Sequence, residues 1–347
     1  MQDAHDFRSD TMTRPTPAMR AAMAAAVVGD DVWGEDPTVR ELERAGAQLL
    51  GKEQALLTPS GTMANQVAIH VHCRPGDELI CEERSHVYWF EGGAIARLSG
   101  TQARTLPTPG GFPTPEQVAA AVRSSDDTHF PRSRLLVLEN THNMAGGRVA
   151  DVARLRALAA TAREHGLLVH CDGARLVNAA VALGCPVRDL AAPCDSVSLC
   201  LSKGLGAPVG SLLAGTAEFV AAARRARKAF GGGMRQAGVL AAAGLLALRD
   251  GPALLAADHR RARTLAQALA ALPFLRVDVA ATETNIVMAD VLSSAVPDFV
   301  AALRARNVLA STSGPQRVRF VTHRDVGDDG VAAAIAAAQA FAGRAVT

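Results

Sequence analysis

The sequence predicts an α/β protein with a large, mostly parallel sheet and a smaller C-terminal α+β domain. Short apolar runs alternate with alanine-rich helical patterns along most of the 347 residues, which is typical of strand–helix–strand units with right-handed crossovers. A chain of this length buries about three quarters of the surface that it exposes when unfolded. Beyond about residue 272 the pattern changes to short strands with two helices, which indicates a second domain.

The elements are predicted from apolar periodicity and from helix start and stop residues. A polar segment at 7–15 is expected to be an extended arm. Helices are predicted at 38–50, 63–72, 151–165, 216–272 with breaks at 231–233 and near 251, 296–306 and 329–342. Strands are predicted at 78–81, 134–139, 167–171, 196–201, 276–280, 285–289 and 318–321. We therefore predict an arm and a large domain over residues 1–250 and a small domain over residues 251–347.

Composition argues against several classes of protein. The net charge is +2, from 36 Lys and Arg against 34 Asp and Glu, which disfavours a nucleic-acid or membrane-surface binder. No apolar run reaches the roughly 18 residues of a membrane span, and the N-terminus does not resemble a signal peptide. The six cysteines form no C-x-x-C pair, so we expect small core residues in a cytoplasmic protein and no metal site.

Lys203 comes two residues after the predicted buried strand, which ends at Leu201, and precedes Gly204. A lysine amine forms a Schiff base with an aldehyde when burial or cationic neighbours lower its pKa. The alternative is a lysine that ends a strand at the surface, and the motif alone favours that alternative.

A carboxylate, Asp172, ends another predicted strand, and Arg175 follows three residues later. Ligands in open α/β sheets bind beyond the carboxyl ends of the strands, and a carboxylate at the ring nitrogen makes pyridoxal phosphate an electron sink. Asp172 is alternatively a helix N-cap, and Arg175 is alternatively half of an ion pair. Together with Lys203, the two residues favour the cofactor interpretation.

Other candidates have weaker signals. Gly61 and Thr62 open a helix, where backbone N–H groups suit a phosphate, although Ser60 there is alternatively only a cap. His86 and His142 each follow a strand and are suited to ring stacking or proton transfer, or are loop histidines with satisfied hydrogen bonds. Neither a Walker A motif nor a convincing G-x-G-x-x-G is present.

Two arginines complete the set of candidates. Arg235 follows three glycines at 231–233, a pattern that also suits a turn between helices. Arg319 lies in a short strand, and a buried arginine needs a partner, for which a carboxylate of the substrate or of the protein is the natural choice.

These motifs run through almost the whole chain, and together they resemble the L-threonine aldolases. These are fold-type I pyridoxal-phosphate (PLP) enzymes with the aspartate aminotransferase fold, related to the β-eliminating lyases. The most specific stretches are FRSDT at 7–11, GDDVWGEDPTV at 29–39, SGTMAN at 60–65, ENTHN at 139–143, HCDGAR at 170–175, SKGLGAPVGS at 202–211 and GGGMRQ at 231–236.

The resemblance implies a role for each matching residue. Lys203 would carry PLP, Asp172 would pair with the ring nitrogen, and Arg175 would contact the ring's phenolate oxygen and the substrate carboxylate. The other implied contacts are Gly61 and Thr62 to the phosphate, Lys228 and Arg235 to a phosphate of the neighbouring subunit, His86 to the ring face, Ser9 and Arg319 to the substrate carboxylate, and His142 and His86 to the β-hydroxyl. Trp33 stands where the family usually has tyrosine, and we expect it with Phe90 near the substrate, at the rim of a site shared between subunits.

The implied activity is reversible cleavage of L-threonine, L-allo-threonine and related β-hydroxy-α-amino acids to glycine and an aldehyde. The implied assembly is a tetramer built as a dimer of dimers with shared active sites. Phenylserine-type cleavage, β-elimination to pyruvate and ammonia, transamination, and a PLP-binding regulator without catalysis are the alternatives. A regulator would need an appended DNA-binding module, for which the chain has no room.

Overall fold

A computed structural model describes residues 4–124, 126–292 and 296–345. The helices are α1 (Pro17–Ala24), α2 (Pro37–Leu50), α3 (Gly61–His72), α4 (His86–Trp89), α5 (Ala94–Ser99), α6 (Pro115–Ala121), α7 (Val152–Glu164), α8 (Leu176–Leu183), α9 (Val187–Ala191), α10 (Ala217–Ala229), α11 (Gly238–Asp250), α12 (Pro252–Ala270), α13 (Val296–Arg304) and α14 (Asp328–Ala345). The strands are β1 (His5–Asp6), β2 (Gln54–Thr58), β3 (Glu78–Glu82), β4 (Gln102–Leu106), β5 (Ser133–Glu139), β6 (Leu168–Asp172), β7 (Ser196–Cys200), β8 (Ser211–Gly215), β9 (Leu275–Arg276), β10 (Ile286–Val291), β11 (Val308–Leu309), β12 (Ser311–Thr312) and β13 (Arg317–Val321).

The large sheet has seven strands in the order β2-β8-β7-β6-β5-β3-β4. All neighbouring strands from β7 to β4 pair in parallel, and β8 is antiparallel to both of its neighbours. The inner strands are buried along nearly their whole length, as expected for a sheet covered by helices on both faces. The predicted fold class is therefore confirmed. The sequence analysis predicts no strand at β2, β4 or β8.

The smaller sheet is antiparallel, in the order β12-β13-β10-β9. Its core includes Phe299 and Phe320 and also takes in Phe7 from the N-terminal segment, which meets Phe320 edge to face at 6.1 Å. Strand β1 pairs in parallel with β11. The predicted arm is thus anchored in the C-terminal domain, and at Asp10–Met12 it forms a short 3-10 helix.

The strand predicted at 276–280 is wrong beyond its first residue, because β9 ends at Arg276. The carboxylate of Asp278 accepts a hydrogen bond from the Ala281 backbone N–H at 3.0 Å, and such a side-chain turn replaces the pairing of a continued strand.

Capping residues fix the predicted helices that adjoin the candidate site. Asp36 caps α2, which has proline at its first position and ends at Gly51 with a φ of 62°. Ser60 caps α3 through a bond from the Met63 N–H at 3.1 Å, and Asp151 caps α7.

In the part of the chain that the structure describes, no single helix has the length and apolar character needed to cross a membrane. Only α11 and α12 taken together pass that test, and they are bent by 65° at their junction. All six cysteines are free, and five of them are buried, which agrees with their predicted role as small core residues.

Candidate active site

The candidate residues gather where β5, β6 and β7 end. Parallel pairing places Glu139, the last residue of β5, beside Asp172, the last residue of β6, and Asp172 beside Ser198 of β7. Lys203 follows the end of β7 by three residues and is half-buried. The carboxyl ends of parallel strands share one edge of a sheet, so the predicted grouping of these residues is present in the fold.

Asp172 is buried and held by the protein on both carboxylate oxygens. One oxygen accepts from the Asn65 side-chain amide at 2.8 Å and the other from the Ala174 N–H at 3.1 Å. Burial alone would raise the pKa of this carboxyl, but the nearby charges of His86 and Lys203 outweigh burial and lower the pKa. Asp172 is therefore an ionised acceptor in a fixed position.

Arg175 makes a buried, bidentate ion pair with Asp10 on the N-terminal segment. Its Nε and Nη2 each donate to one oxygen of Asp10 at 2.7 Å. Burial works against the pKa shift of each partner, but their mutual attraction holds the pKa of Asp10 below its usual range and raises that of Arg175. The sequence analysis gives Arg175 either a contact to the cofactor and substrate or an ion pair. An ion pair is observed, with a partner 165 residues away.

His86 begins α4 with its imidazole Nδ1 2.9 Å from Oε1 of Glu91. Glu91 is buried, and one atom each from His86, Glu91 and Asp172 lie within 4.8 Å of one another. Burial would lower the pKa of His86, but the hydrogen bond to Glu91 and the charge of Asp172 raise it. The imidazole thus lies next to the carboxylate predicted to hold the ring nitrogen.

His142 is fully buried, and each of its ring nitrogens faces a protein group. Its Nδ1 accepts from the Ala145 N–H at 3.2 Å, and its Nε2 lies 2.9 Å from Oε2 of Glu82, in an ion pair without hydrogen-bond geometry. Glu139 lies between the two histidines, since its Oε2 accepts from the His86 backbone N–H at 2.6 Å and lies 4.0 Å from His142 Nε2.

Arg319 projects from β13, and its observed partners are neutral. It donates to the Asn143 side-chain oxygen at 2.7 Å and to the Arg8 carbonyl at 3.1 Å, while its Nε is buried without a partner among the described residues. Burial and the charge of Arg175 lower the pKa of Arg319 to about 10. Of the two partners considered for it, a protein carboxylate is not observed among the described residues, and a bound carboxylate stays a prediction.

The remaining candidates lie in three places. Ser9 is half-buried, and its hydroxyl accepts from the Thr11 N–H at 3.2 Å. Gly61 and Thr62 form the first turn of α3, whose N–H groups have no partner within the helix. Lys228 is exposed at the end of α10, and Arg235 is exposed and donates to Asp30 at 3.0 Å.

Trp33 and Phe90 are exposed, Trp33 over 77% of its surface and Phe90 over 49%. Trp89, beside Phe90, is exposed as well. Aromatic side chains are enriched in protein–protein interfaces, and the expected positions of Trp33 at a subunit rim and of Phe90 at the substrate stay predictions.

Asp10, Asn65 and Glu91 are among the residues of the site that have no role in the sequence analysis. Asp10 and Asn65 stand inside matched motifs, but nothing local shows that Asp10 meets Arg175 or that Asn65 meets Asp172. Glu91 stands five residues after His86, a spacing with no predictive value outside a long helix.

The residues present fit PLP, the cofactor that the resemblance implies. The ionised Asp172 suits a protonated ring nitrogen, and the first turn of α3 suits a phosphate. A Cβ added at Gly61 would lie 2.7 Å from the Cys200 sulfur, so the sequence keeps that turn free of a side chain.

Known proteins match the chain over nearly its whole length. The profile of the family described as "Beta-eliminating lyase" matches residues 6–292. The chain is 44% identical to "Low specificity L-threonine aldolase" of Escherichia coli, over 98% of this chain and 99% of that one. It is 45% identical to "Probable low-specificity L-threonine aldolase 2" of Arabidopsis thaliana, over 93% of each. The fold matches the threonine aldolase of Leishmania major with a TM-score of 0.84 at 21% identity, over 97% of this chain and 99% of that one. The chain therefore belongs to the β-eliminating lyase family of PLP enzymes, among relatives named as low-specificity L-threonine aldolases.

Proposed function

We propose that this protein is a PLP-dependent aldolase that reversibly cleaves L-threonine, L-allo-threonine and related β-hydroxy-α-amino acids to glycine and an aldehyde. The observation that carries the proposal is the 44% identity to an E. coli low-specificity L-threonine aldolase over almost the full length of both chains. The site supports it with an amine, an ionised carboxylate and an arginine that bonds to neutral partners, all at one edge of the sheet.

In this proposal, Lys203 would hold the cofactor covalently through its amine. Asp172 would accept a hydrogen bond from the protonated ring nitrogen. Gly61 and Thr62 donate backbone N–H groups to the phosphate. His86 lies against the ring. Lys228 and Arg235 of one subunit reach the phosphate in a neighbouring subunit; their exposure supports this assignment.

The substrate carboxylate binds to Arg319, with Ser9 nearby and the charge of Arg175 behind it. Asn143 orients Arg319 through the 2.7 Å hydrogen bond, and Asp10 fixes Arg175. A bidentate carboxylate would supply the anion that no described residue offers to Arg319.

Bond cleavage needs a base for the β-hydroxyl proton and a place for the electron pair of the Cα–Cβ bond. When bound, PLP supplies that electron sink. His86 and His142 are the candidate bases. Orienting the carboxylate through Arg319 and Ser9 sets which bond at Cα is aligned to break.

Trp33 and Phe90 are proposed to lie at the substrate's side-chain end, in a site shared between subunits of a tetramer built from dimers. The 77% exposure of Trp33 supports this placement. A groove of about 1080 Å³ between α2, α8 and α11, lined by apolar residues such as Val181, Leu245 and Leu246, supports an assembly that covers it.

The proposal also includes a domain boundary and a cellular location. We propose a domain boundary between residues 250 and 251, and the 65° bend between α11 and α12 supports it. A cytoplasmic location is proposed because six free cysteines suit a reducing compartment.

The test is a coupled assay for aldehyde release from L-threonine, L-allo-threonine and both phenylserine diastereomers, with and without PLP. We expect glycine and aldehyde in equal amounts, dependent on PLP. Pyruvate with ammonia would instead indicate β-elimination, a keto acid would indicate transamination, and no product from any substrate would contradict catalysis.

The lysine assignment has a sharp test because the chain contains only three lysines, Lys52, Lys203 and Lys228. Borohydride reduction followed by peptide mapping should place the cofactor on Lys203. Lys203→Ala should lose both the absorbance near the visible edge and the activity, whereas Lys52→Met should keep the absorbance. A Lys203→Ala protein that keeps both would refute the assignment.

A further inference from the structure

A single buried amide, Asn65 on α3, links the groups beneath the proposed cofactor. Its Nδ2 donates to Oδ2 of Asp172 at 2.8 Å and to Oε1 of Glu91 at 2.9 Å. Its Oδ1 accepts from the Ser198 hydroxyl at 2.9 Å and lies 3.1 Å from His170 Nε2. An amide has two donor hydrogens, so one hydrogen goes to each carboxylate.

Glu91 has three hydrogen-bond partners, of which the two amides are donors. Its Oε1 accepts from Asn65 and lies 2.9 Å from His86 Nδ1, while its Oε2 accepts from the Gln66 amide at 2.6 Å. A carboxylate so surrounded acts only as an acceptor. The proton of the neutral His86 ring is therefore on Nδ1, and its lone pair is on Nε2.

The two candidate bases, His86 and His142, differ in whether a ring nitrogen is free to accept a proton. Nε2 of His86 bonds to none of the residues that the structure describes, and the side chain is 29% exposed. His142 has an exposed fraction of 0%, and its two ring nitrogens face the Ala145 N–H and the Glu82 carboxylate. Of the two histidines, only His86 combines a ring nitrogen that bonds to no described residue with a partly exposed side chain.

We propose that Glu91 is a positioning residue that holds the proton of His86 on Nδ1, so that Nε2 of His86, and not His142, accepts the β-hydroxyl proton. This inference rests on the proposed aldolase function. As the O–H and Cα–Cβ bonds break, the proton passes to Nε2 and the aldehyde C=O forms. Bound PLP would stabilise the electron pair left at Cα, and return of one proton to Cα gives glycine, so the proton count closes.

The titration of His86 depends on the charges that face it. These are Glu91 after α4, Asp172 at the end of β6 and Glu139 at the end of β5. They raise the pKa of His86 against the effect of burial. Activity should therefore rise as the pH increases through this raised pKa, because only the neutral ring accepts a proton.

Glu91→Gln is a tolerable probe. The new amide N–H group would face the Gln66 amide, but Oε1 of Gln66 is buried without a partner among the described residues, so a flip of that amide restores a hydrogen bond. The carboxylate charge is lost while the shape remains. We expect kcat to fall by roughly 10–100-fold, within the usual contribution of a general base.

The pH profile separates positioning from structural support. Removing a charge within hydrogen-bond distance should move the acidic limb of the kcat profile to lower pH by roughly one pH unit or more. Glu82→Gln, the matched change beside His142, should leave that limb in place. In a His86→Asn background, Glu91→Gln should cost nothing further in kcat, because it acts through His86.

A second measurement does not depend on activity. Nitrogen-15 spectra of the histidines in the PLP-free protein, with His86 assigned by its loss in His86→Asn, should show the Nδ1–H form. Glu91→Gln keeps an amide oxygen that accepts from Nδ1 and should keep this form, whereas Glu91→Ala, which removes the acceptor, should give a mixture of both forms. If wild-type His86 is the Nε2–H form, or if Glu82→Gln alone moves the limb, the inference is overturned. If the wild-type protein shows the Nδ1–H form of His86 but does not catalyse the aldolase reaction, the proposed function is refuted instead.

Discussion

The buried pair of Asp10 and Arg175 offers a quantitative test of how the N-terminal segment is attached to the large domain. Asp10→Asn removes one charge and keeps one carbonyl oxygen, so one of the two 2.7 Å hydrogen bonds is lost. Arg175 then keeps a buried positive charge without its carboxylate, because its side chain is only 5% exposed.

The magnitude follows from the burial. Charges about 4 Å apart attract by about 4 kcal/mol at an effective dielectric constant of about 20, and breaking a buried pair costs about 3–5 kcal/mol. We therefore expect the free energy of unfolding to fall by about 3–4 kcal/mol at pH 7. The lowered pKa of Asp10 also predicts how this stabilisation depends on pH. Its contribution is fully present above the unfolded pKa of about 3.9 and is lost only as the pH falls on through the lower folded pKa, so the difference between the wild type and the variant should be smaller at pH 3.5 than at pH 7 but still present.

The assay is urea unfolding of the PLP-free protein, followed by circular dichroism at pH 7 and at pH 3.5. The matched control is Asp250→Asn, because Asp250 also pairs with an arginine, Arg249, at 2.7 Å but both are mostly exposed. Exposed pairs contribute little, so the control should match the wild type. Equal losses in the two variants would refute the reasoning that burial sets the cost.

Three further predictions concern single residues. Arg319→Ala should lower kcat/KM by roughly 10–100-fold, the value of a charge-assisted hydrogen bond of about 1.5–3 kcal/mol, and leave PLP absorbance unchanged; loss of that absorbance would contradict a substrate role. Asp258 is buried with no hydrogen-bond partner for its carboxylate among the described residues, and burial raises its pKa to about 7. Stability should therefore fall as the pH rises from about 4 to 7, by up to about 4 kcal/mol, and Asp258→Asn should flatten this dependence in urea titrations; an unchanged slope would refute it. Gly61→Ala should weaken PLP binding about tenfold or more in fluorescence titrations, because the new Cβ would meet the Cys200 sulfur at 2.7 Å, whereas Gly110→Ala, with open space around it, should bind normally.

The residues at strand ends could be predicted from sequence because their signal is local. Asp172 follows an apolar run directly, and the run both forms β6 and sets where the side chain emerges. Lys203 follows β7 in the same way. The helix start at Gly61 was predictable because Ser60 is a capping residue.

The partners of these residues were not predictable from local sequence. Asp10 meets Arg175 across 165 residues, and Asn65 meets Asp172 across 107. Such contacts depend on how the sheet and its helices pack together, and the apolar periodicity of the sequence does not predict them. The same holds for β8, whose reversed direction follows from a short connection after Lys203 and not from its composition.

The anchoring of Phe7 in the C-terminal core has a consequence for biosynthesis. Phe7 is among the largest fully buried side chains, and its neighbours Val308 and Phe320 lie about three hundred residues later. During translation the first residues leave the ribosome long before these neighbours exist. The small domain therefore completes its core only after nearly the whole chain has been made, and until then Phe7 has no core in which to pack.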